Sequence, residues 1–429
     1  MSLLDFLPPL LLLVGGIFLF KLRFFFIRHP LRTAGRIIEI SRDKEARRSL
    51  FLALAGTLGV GNIIGVAHGI IVGGVGSIFW IFISAFFAGA IKYAESTLCA
   101  IEREGKAGGV MFVMRRTFGR IGAPVSIIYA VLCLVLSLIM GSALQSQSAV
   151  LSGSYCLGVP GIYLSLSFSF LVLVTIIVGA HRVERVTAVV IPISTIVYII
   201  LCFYIIFINI SEIPSAISEI ISSAFSFRCA VGGIGGFLLS SAMREGFSAG
   251  LLSNEAGSGT SAMAEVRAGN IPPSDVGLLG LCEVFFDTML LCVLTGFAIV
   301  LSGVDVTSFS DGISLVYAVF SKTLGKFGGI VLFLLIFSFA YSTVVCWYYY
   351  GSLSLKFLFS RNYTVIFAPV FLGFSLLGFL IPNSVLISLS NSTLFFMSIL
   401  TLVTLVKKSE RIFHLSEKVI KLKNSDVGK

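Results

Sequence analysis

The residues that could do chemistry in this sequence are amides, hydroxyls and a few carboxylates set inside long apolar runs. Asn62 follows several glycines, Gln145 lies late in another run, and Ser342 and Thr343 stand side by side in a third. Oxygen ligands of this kind suit a hard cation such as Na⁺, and they also suit the polar ends of a small zwitterion. We therefore expect a binding site for a small polar solute and a cation.

Motifs of enzymes are not visible. No phosphate-binding loop, no metal-ligand spacing and no nucleophile–base pair can be recognised. We therefore expect a protein that is not an enzyme, that needs no cofactor and that binds no metal beyond a coupling Na⁺. Pumping driven by ATP through this chain alone is excluded on the same ground.

Each polar candidate also has a structural alternative. Asn62 could cap a half-helix that begins at this point, a role that is compatible with binding. Gln145 and Gln147 alternate on a helix and cannot both face one cavity, and either could be an interfacial side chain. Gln145 shares a face with Gly141 and Ser148, so we expect it to be the inward one.

Aromatic residues and one histidine form a second group of candidates. Trp347 could be one wall of a small pocket, or it could anchor the membrane interface with Tyr348–Tyr350, which is the role we expect for the tyrosines. His68 lies in a glycine-rich segment, where a packing role is more common than a proton site.

Four of the charged side chains within apolar runs are candidates for a role in the membrane. Asp287 is near the centre of one run, with Glu283 one turn earlier, and intramembrane carboxylates are candidate functional groups. Asp287 could pair with bound Na⁺, accept a proton or anchor broken backbone. Glu283 could do the same, or it could join two helices when protonated. Lys92 and Glu95 are three residues apart, and we expect them to form a structural ion pair with each other.

The composition indicates a membrane protein. Mean hydropathy is +1.02, 57% of the residues are hydrophobic and 12% are charged. The net charge of +10 lies in short loops between apolar runs, so membrane topology explains it better than nucleic-acid binding does. We expect no cleavable signal, because Met1 to Pro9 has no basic residue. Cys156 and Cys229 could form a disulfide, but two free thiols are favoured.

Two glycine-rich stretches interrupt the apolar pattern. Eight glycines lie between Gly56 and Gly76, and eight more lie between Gly232 and Gly259. Such a density does not support a continuous helix, and irregular backbone at membrane depth must line a cavity or be buried in protein. The first stretch alone fits close helix packing through small residues equally well. Two such stretches in corresponding halves predict two broken helices and a midplane site.

The hydropathy pattern predicts an all-α polytopic membrane protein. Eleven apolar runs of spanning length follow one another, at about 10–26, 50–75, 78–101, 121–151, 162–180, 188–208, 230–252, 276–301, 327–351, 365–381 and 385–406. The basic segment 28–48 is expected to lie on the membrane surface as an amphipathic helix, with a plain charged linker as the alternative.

The basic residues predict the orientation. Of the 31 Lys and Arg, all but Arg228, Lys322 and Lys326 fall on one face of this arrangement. We assign that face to the cytoplasm of a cell whose plasma membrane holds the protein. The N-terminus is then outside and the C-terminus inside.

The spans also predict an internal repeat. With the first run set aside, two groups of five runs enter the membrane from opposite sides, and each group opens with a glycine-broken segment. The expected divisions are 1–49 for the first helix and basic segment, 50–209 and 210–406 for the two five-helix repeats, and 407–429 for a basic tail. The broken helices are the first and sixth of this core.

The motifs resemble the alanine or glycine:cation symporter family, in the right order from about Leu50 to Gly351. The matching segments are Gly56–Ile63, Lys92–Glu95, Leu252–Gly259, Phe286–Thr288 and Phe339–Thr343 with Trp347. The resemblance implies a LeuT-type fold and sodium-coupled symport of small neutral amino acids, alanine or glycine, by alternating access. We expect no partner beyond the amino acid, Na⁺ and the lipid bilayer, and a functional monomer.

The expected site residues fall into two sets. Cation binding is assigned to the backbone of Ala55 and Leu58 with the side chains of Ser342, Thr343 and Asp287. The expected substrate-binding residues are Thr57, Gly61, Asn62, Gln145, Gly235, Phe237 and Trp347. The stretch Gly141–Gln147 departs from the family pattern Gly-Asn-x-x-Gln-Ala-Asn, which leaves the substrate open.

Three function classes are therefore kept. A cation-coupled symporter is favoured, with H⁺ as an alternative coupling ion. A passive facilitator or channel would need a continuous polar pore, and the sparse polar residues count against it. A membrane enzyme would need catalytic groups that are not visible.

Overall fold

The fold is built from helices. The computed structural model describes residues 7–105, 107–178, 180–225, 240–359 and 363–420, and every regular element in these ranges is helical. Its main helices are α1 (Leu7–Lys21), α2 (Pro30–Ile40), α3 (Lys44–Thr57), α4 (Ile64–Gly73), α5 (Ser77–Ile101), α6 (Val110–Thr117), α7 (Gly122–Leu136), α8 (Gln145–Leu157), α9 (Gly161–Ile176), α10 (Ala180–Ile208), α11 (Ile213–Ala224), α12 (Ser241–Asn254), α13 (Pro273–Val284), α14 (Val293–Leu301), α15 (Gly312–Leu324), α16 (Lys326–Leu358), α17 (Thr364–Leu377), α18 (Asn383–Lys407) and α19 (Ser409–Ile420). The predicted all-α class is confirmed.

The predicted spans correspond to these helices. Within the described ranges six helical segments are long and apolar enough to cross a membrane, and a seventh is formed if α3 and α4 are one bent span. Shorter apolar helices occur at α1, α9, α15 and Val365–Leu380. The second glycine stretch, Gly232–Gly236, lies outside the described residues, so the break in the sixth core helix stays a prediction, and so does the total of eleven.

The first broken helix is present. Helices α3 and α4 meet at an angle of 62°, and Leu58 and Gly59 between them are not helical. The span begins at Lys44, six residues before the predicted Leu50, because Asp43 caps α3 by accepting hydrogen bonds from the amides of Glu45 and Ala46.

Glycines bring α5 against two neighbours. A Cβ on Gly246 or Gly250 of α12 would collide with the backbone or side chains of α5. The same holds for Gly277 and Gly280 of α13. The three helices therefore pack at the short distance that small residues allow, and polar side chains of α5 and α13 come into direct contact.

Two spans contain a π-helical turn that hydropathy does not reveal. Ser137–Leu144 joins α7 to α8, and Phe285–Cys292 joins α13 to α14. A π turn shifts the register of the following residues, and such turns are frequent at functional sites. One of them ends next to Gln145 and the other contains Asp287.

Other sequence-based expectations need correction. The segments 102–120 and 302–326 are not plain loops, because they contain α6 and α15. Tyr348–Tyr350 are not free to anchor in lipid headgroups: all three side chains are buried in the protein, and the hydroxyl of Tyr349 donates to the carbonyl of Met263 at 3.3 Å. His68 is exposed, so it is not a packing residue.

Candidate binding site at the helix break

The break leaves carbonyls on the α3 side that α16 approaches. The Leu58 carbonyl accepts a hydrogen bond from Thr343 Oγ1 at 3.3 Å. The Gly56 carbonyl accepts one from the indole Nε1 of Trp347 at 3.3 Å. Both side chains are buried, so α16 satisfies backbone groups that a continuous helix would have satisfied itself.

On the α4 side the break exposes amides. The Gly59 amide donates to Asn62 Oδ1 at 3.1 Å, and the Val60 amide lies 3.4 Å from Gln145 Oε1. A short 3₁₀ turn, Val60–Asn62, follows before α4 begins. Backbone amides gathered at the start of a helix carry partial positive charge, so an anionic group is favoured here.

Asp287 is the anchor of this half of the break. Its Oδ1 accepts from Asn62 Nδ2 at 2.7 Å, and its Oδ2 accepts from Ser253 Oγ at 2.6 Å and Thr288 Oγ1 at 2.8 Å. Asn62 also donates to the Asp287 carbonyl at 3.1 Å. The carboxylate therefore orients Asn62, and Asn62 in turn fixes the amide of Gly59.

A narrow gap lies between the two halves. It encloses about 150 Å³ of empty space and is too narrow to admit a water molecule. The lining residues are Leu58, Gly59, Asn62, Ile63, Tyr198, Leu291 and Phe339. Gly61 does not line this gap, and a Cβ placed on it would meet no atom within 4 Å. A ligand larger than a cation therefore requires the helices to separate.

The predicted cation residues form two groups in the structure. Thr343 meets the carbonyl of Leu58, and Ala55 lies one turn earlier in α3. The hydroxyl of Ser342 donates within its own helix, to Ser338 and Phe339 at 2.9 Å. Asp287 is hydrogen-bonded to Asn62 on the other side of the break.

Only some of the predicted substrate residues contact the amides of the break. Asn62 and Gln145 meet the amides of the break. Trp347 is completely buried against Gly141, where any side chain would collide with the indole. Thr57 donates to the Ala53 carbonyl at 3.4 Å. Gly235 and Phe237 lie outside the described residues, as does Cys229.

Gln147 takes no part in the break. Its Nε2 donates to the carbonyls of Gly378 at 3.1 Å and Ile381 at 2.6 Å. It therefore holds α8 against the end of α17.

Sequence reasoning missed the polar residues behind Asp287. Asn254 Nδ2 donates to Thr288 Oγ1 at 2.8 Å, and Thr295 Oγ1 donates to the Asn62 carbonyl at 2.9 Å. Ser253 and Asn254 belong to a motif that carried the family resemblance. The sequence shows these two residues, but it does not show that they bond to Asp287 and Thr288.

The expected ion pair between Lys92 and Glu95 is wrong. Lys92 Nζ donates to Ser261 Oγ and lies 3.3 Å from Glu283 Oε1. In the described part of the chain, neither oxygen of Glu95 has a hydrogen-bond partner. The reason is the close packing of α13 on α5, which lets Lys92 reach across to the neighbouring helix.

Comparison with known proteins identifies the family of this chain. The model of the sodium:alanine symporter family matches residues 2–426. The sodium/alanine symporter AgcS of Methanococcus maripaludis is 31% identical over 337 residues, which cover 75% of this chain and 73% of that protein. The probable sodium/glutamine symporter GlnT of Bacillus subtilis is 30% identical and covers 81% and 74% respectively.

A solved structure supports the fold. MhsT in complex with L-phenylalanine aligns with a TM-score of 0.55 at 15% identity, covering 86% of this chain and 88% of that one. A likeness at this identity shows a shared LeuT-type fold alone.

Proposed function

Because the chain belongs to the sodium:alanine symporter family, we propose that it carries a small neutral amino acid, alanine or glycine, across the membrane together with Na⁺. The observation that carries this proposal is the break between α3 and α4. It offers a carbonyl and a hydroxyl at one end and backbone amides at the other. A cation and a zwitterion need such a pair of opposite polarities.

The cation belongs at the carbonyl end. The Leu58 carbonyl and Thr343 Oγ1 are 3.3 Å apart and buried, so a small cation between them would replace one hydrogen bond by two oxygen ligands. The carbonyl of Ala55 and the hydroxyl of Ser342 complete the proposed ligand set. Ser342 must give up a bond within its own helix to take part.

The amino acid belongs at the amide end. Its carboxylate faces the amides of Gly59 and Val60, where the helix start favours negative charge. The side-chain oxygens of Asn62 and Gln145 now occupy these amides, so they are the groups that a carboxylate displaces. Their freed oxygens are then available to the ammonium group or to Na⁺.

The proposal also includes the oligomeric state, the location and the orientation of the protein. The protein works as a monomer in the plasma membrane, with its N-terminus outside and its C-terminus in the cytoplasm. It has no nucleic-acid partner and no enzymatic activity. A proton-coupled symporter and a passive facilitator are the alternatives that the first experiment distinguishes.

Uptake by the purified protein tests the proposal. Proteoliposomes containing the full chain are expected to accumulate labelled alanine above the external concentration when Na⁺ is high outside and absent inside. Replacing external Na⁺ by choline should abolish accumulation, and an imposed proton gradient should not restore it. Equilibration without accumulation under every gradient would identify a facilitator instead.

Substitutions of the neighbouring hydroxyls Thr343 and Ser342 test the proposed cation site. Thr343→Val is expected to raise the Na⁺ concentration for half-maximal uptake about tenfold or more, because a lost ligand leaves Na⁺ under-coordinated at a cost of about 1–3 kcal/mol. Ser342→Ala should have the smaller effect, since its hydroxyl bonds within α16. Equal Na⁺ dependence of both variants and the native chain would place the cation elsewhere.

Trp347 is expected to limit substrate size. Trp347→Ala removes a fully buried indole and its bond to Gly56, which leaves a cavity beside the break. Alanine uptake should fall, and leucine or methionine should begin to compete. Asn62→Ala is the contrast, because it should weaken all substrates alike. A size limit that is unchanged in Trp347→Ala but shifted in Asn62→Ala contradicts this assignment.

A further inference from the structure

A cluster of buried charged side chains lies beside the break, and the proposed transport site does not use it. Its members are one lysine and four glutamates, namely Lys92, Glu95, Glu255, Glu265 and Glu283. Four of them have no exposed surface, and Glu255 is 3% exposed. Four ionised glutamates cannot be stable in a buried position beside a single lysine, because a buried charge without a partner is strongly unfavourable. The cluster must therefore bind protons or another cation.

Lys92 neutralises one glutamate. Its Nζ lies 3.3 Å from Glu283 Oε1, and both side chains have no exposure. In the part of the chain that the structure describes, Lys92 is also the one cation acting on Glu95, Glu255 and Glu265. The ion pair gives Glu283 a cation and leaves the other carboxyls without one of their own.

Glu265 and Glu283 meet where the segment after α12 packs on α13. Glu265 Oε1 lies against Gly280, where it would be 3.2 Å from an added Cβ, and Glu283 follows Gly280 by one helical turn. Glu265 Oε2 accepts from Ser96 Oγ. Glu265 Oε1 and Glu283 Oε2 are buried and have no donor among the described residues. Two carboxyl groups in contact cannot both be ionised, because both would be acceptors and their charges would repel. A proton between them satisfies one oxygen on each side.

We propose that Glu265 and Glu283 form a proton-binding site, in which Glu265 carries the proton and donates it to the carboxylate that Glu283 presents beside Lys92. The site is separate from the helix break, and it does not depend on which amino acid or cation the protein carries. Its ligand is H⁺ and not a metal ion. No group of three or more His, Cys, Asp or Glu in the described ranges is arranged to hold a metal.

The surroundings of Glu265 favour the neutral acid. Glu265 lies in the segment between α12 and α13, outside the spans, and burial raises the pKa of its carboxyl well above the usual range, with Glu283 adding to the rise and Lys92 and Ser96 opposing it. The other titratable groups that interact with this cluster are thiols, phenols and one further acid, namely Cys99, Cys133, Cys282, Cys346, Tyr129, Tyr350 and Asp287. None of them supplies a second cation.

The next charged residue after Glu265 along the chain is partly exposed. It is Arg267, which is ion-paired with Glu184, and the side chains of that pair are 18% and 11% exposed. We expect the proton to be exchanged with solution on this side of the protein.

Infrared spectroscopy of the purified full chain tests the site without any transport assay. At neutral pH the native protein is expected to show the C=O stretching band of a protonated carboxyl, which shifts in D₂O. Glu265→Gln should remove the equivalent of one carboxyl from that band and still fold, because glutamine has nearly the shape of the protonated acid and can donate to Glu283. Glu219→Gln, at an exposed glutamate, should leave the band unchanged.

Three results would overturn the proposal. The first is a native protein without a protonated-carboxyl band at neutral pH. The second is a band that Glu265→Gln leaves intact. The third is a band that appears only when Na⁺ is replaced by choline, which would mean that the site holds Na⁺. If Glu265→Gln does not fold, Glu265→Asp provides the second reading, since it should keep a protonated carboxyl but move its frequency.

Discussion

Asp287→Ala is expected to reduce transport by more than about 100-fold while Asp287→Asn keeps part of it. The carboxylate accepts hydrogen bonds from Asn62, Ser253 and Thr288 in a fully buried position. Alanine removes the acceptor of all three bonds, and each lost bond of a buried donor costs about 1–3 kcal/mol. Asn62 and Ser253 keep a second acceptor, the carbonyls of Asp287 and Gly250. Since about 1.4 kcal/mol corresponds to a factor of ten, the loss of two bonds at about that cost each corresponds to a hundredfold change in the population of the ordered break.

The asparagine variant separates geometry from charge. It retains one oxygen for Asn62 and an amide that can donate to Ser253 or Thr288, so the break should stay ordered. Labelled alanine uptake and the Na⁺ concentration for half-maximal uptake are the measurements. Ser194→Ala is a suitable control, because this hydroxyl is also buried in a span but bonds to Ser338. Uptake by Asp287→Ala within a factor of two of the native rate would show that Asp287 does not organise the site.

The sequence predicts the helix break but not the contacts that distant residues make with it. Glycine density places a break within the stretch Gly56 to Gly76, because backbone entropy and the cost of unpaired amides in lipid are local properties. The contact between Asn62 and Asp287 joins residues 225 positions apart, and it depends on a π turn that displaces Asp287 from ordinary helical register. No periodicity in the sequence marks that turn.

The errors have the same origin. Lys92 and Glu95 have the spacing of a helical ion pair. Glycines on α13 nevertheless let that helix pack closely on α5, so that Lys92 pairs with Glu283 of α13 and not with Glu95 of its own helix. Tyr348–Tyr350 have the composition of an interfacial belt, yet the neighbouring helices bury all three side chains. Spacing along one helix predicts which side chains can meet, and packing between helices decides which ones do.

Lys92→Met is expected to destabilise the folded protein by about 3–5 kcal/mol, because it leaves Glu283 buried without its cation. The effect is measured as the thermal unfolding midpoint in detergent. The midpoint is obtained from the fraction of protein that remains monodisperse after heating. Lys322→Met is the matched control, since Lys322 is exposed and its Nζ donates to the Gly303 carbonyl at 3.0 Å. The control should change the midpoint little, as exposed charged contacts contribute about 0–1 kcal/mol.

The double variant Lys92→Met with Glu283→Gln distinguishes a broken ion pair from a lost shape. Each single change strands one buried charge, whereas the double change removes both charges together and leaves side chains of similar length. Its destabilisation should therefore be smaller than that of Lys92→Met alone, and the two single effects should not add. Strict additivity would mean that Lys92 and Glu283 act independently, and that the 3.3 Å contact between them contributes nothing to folding.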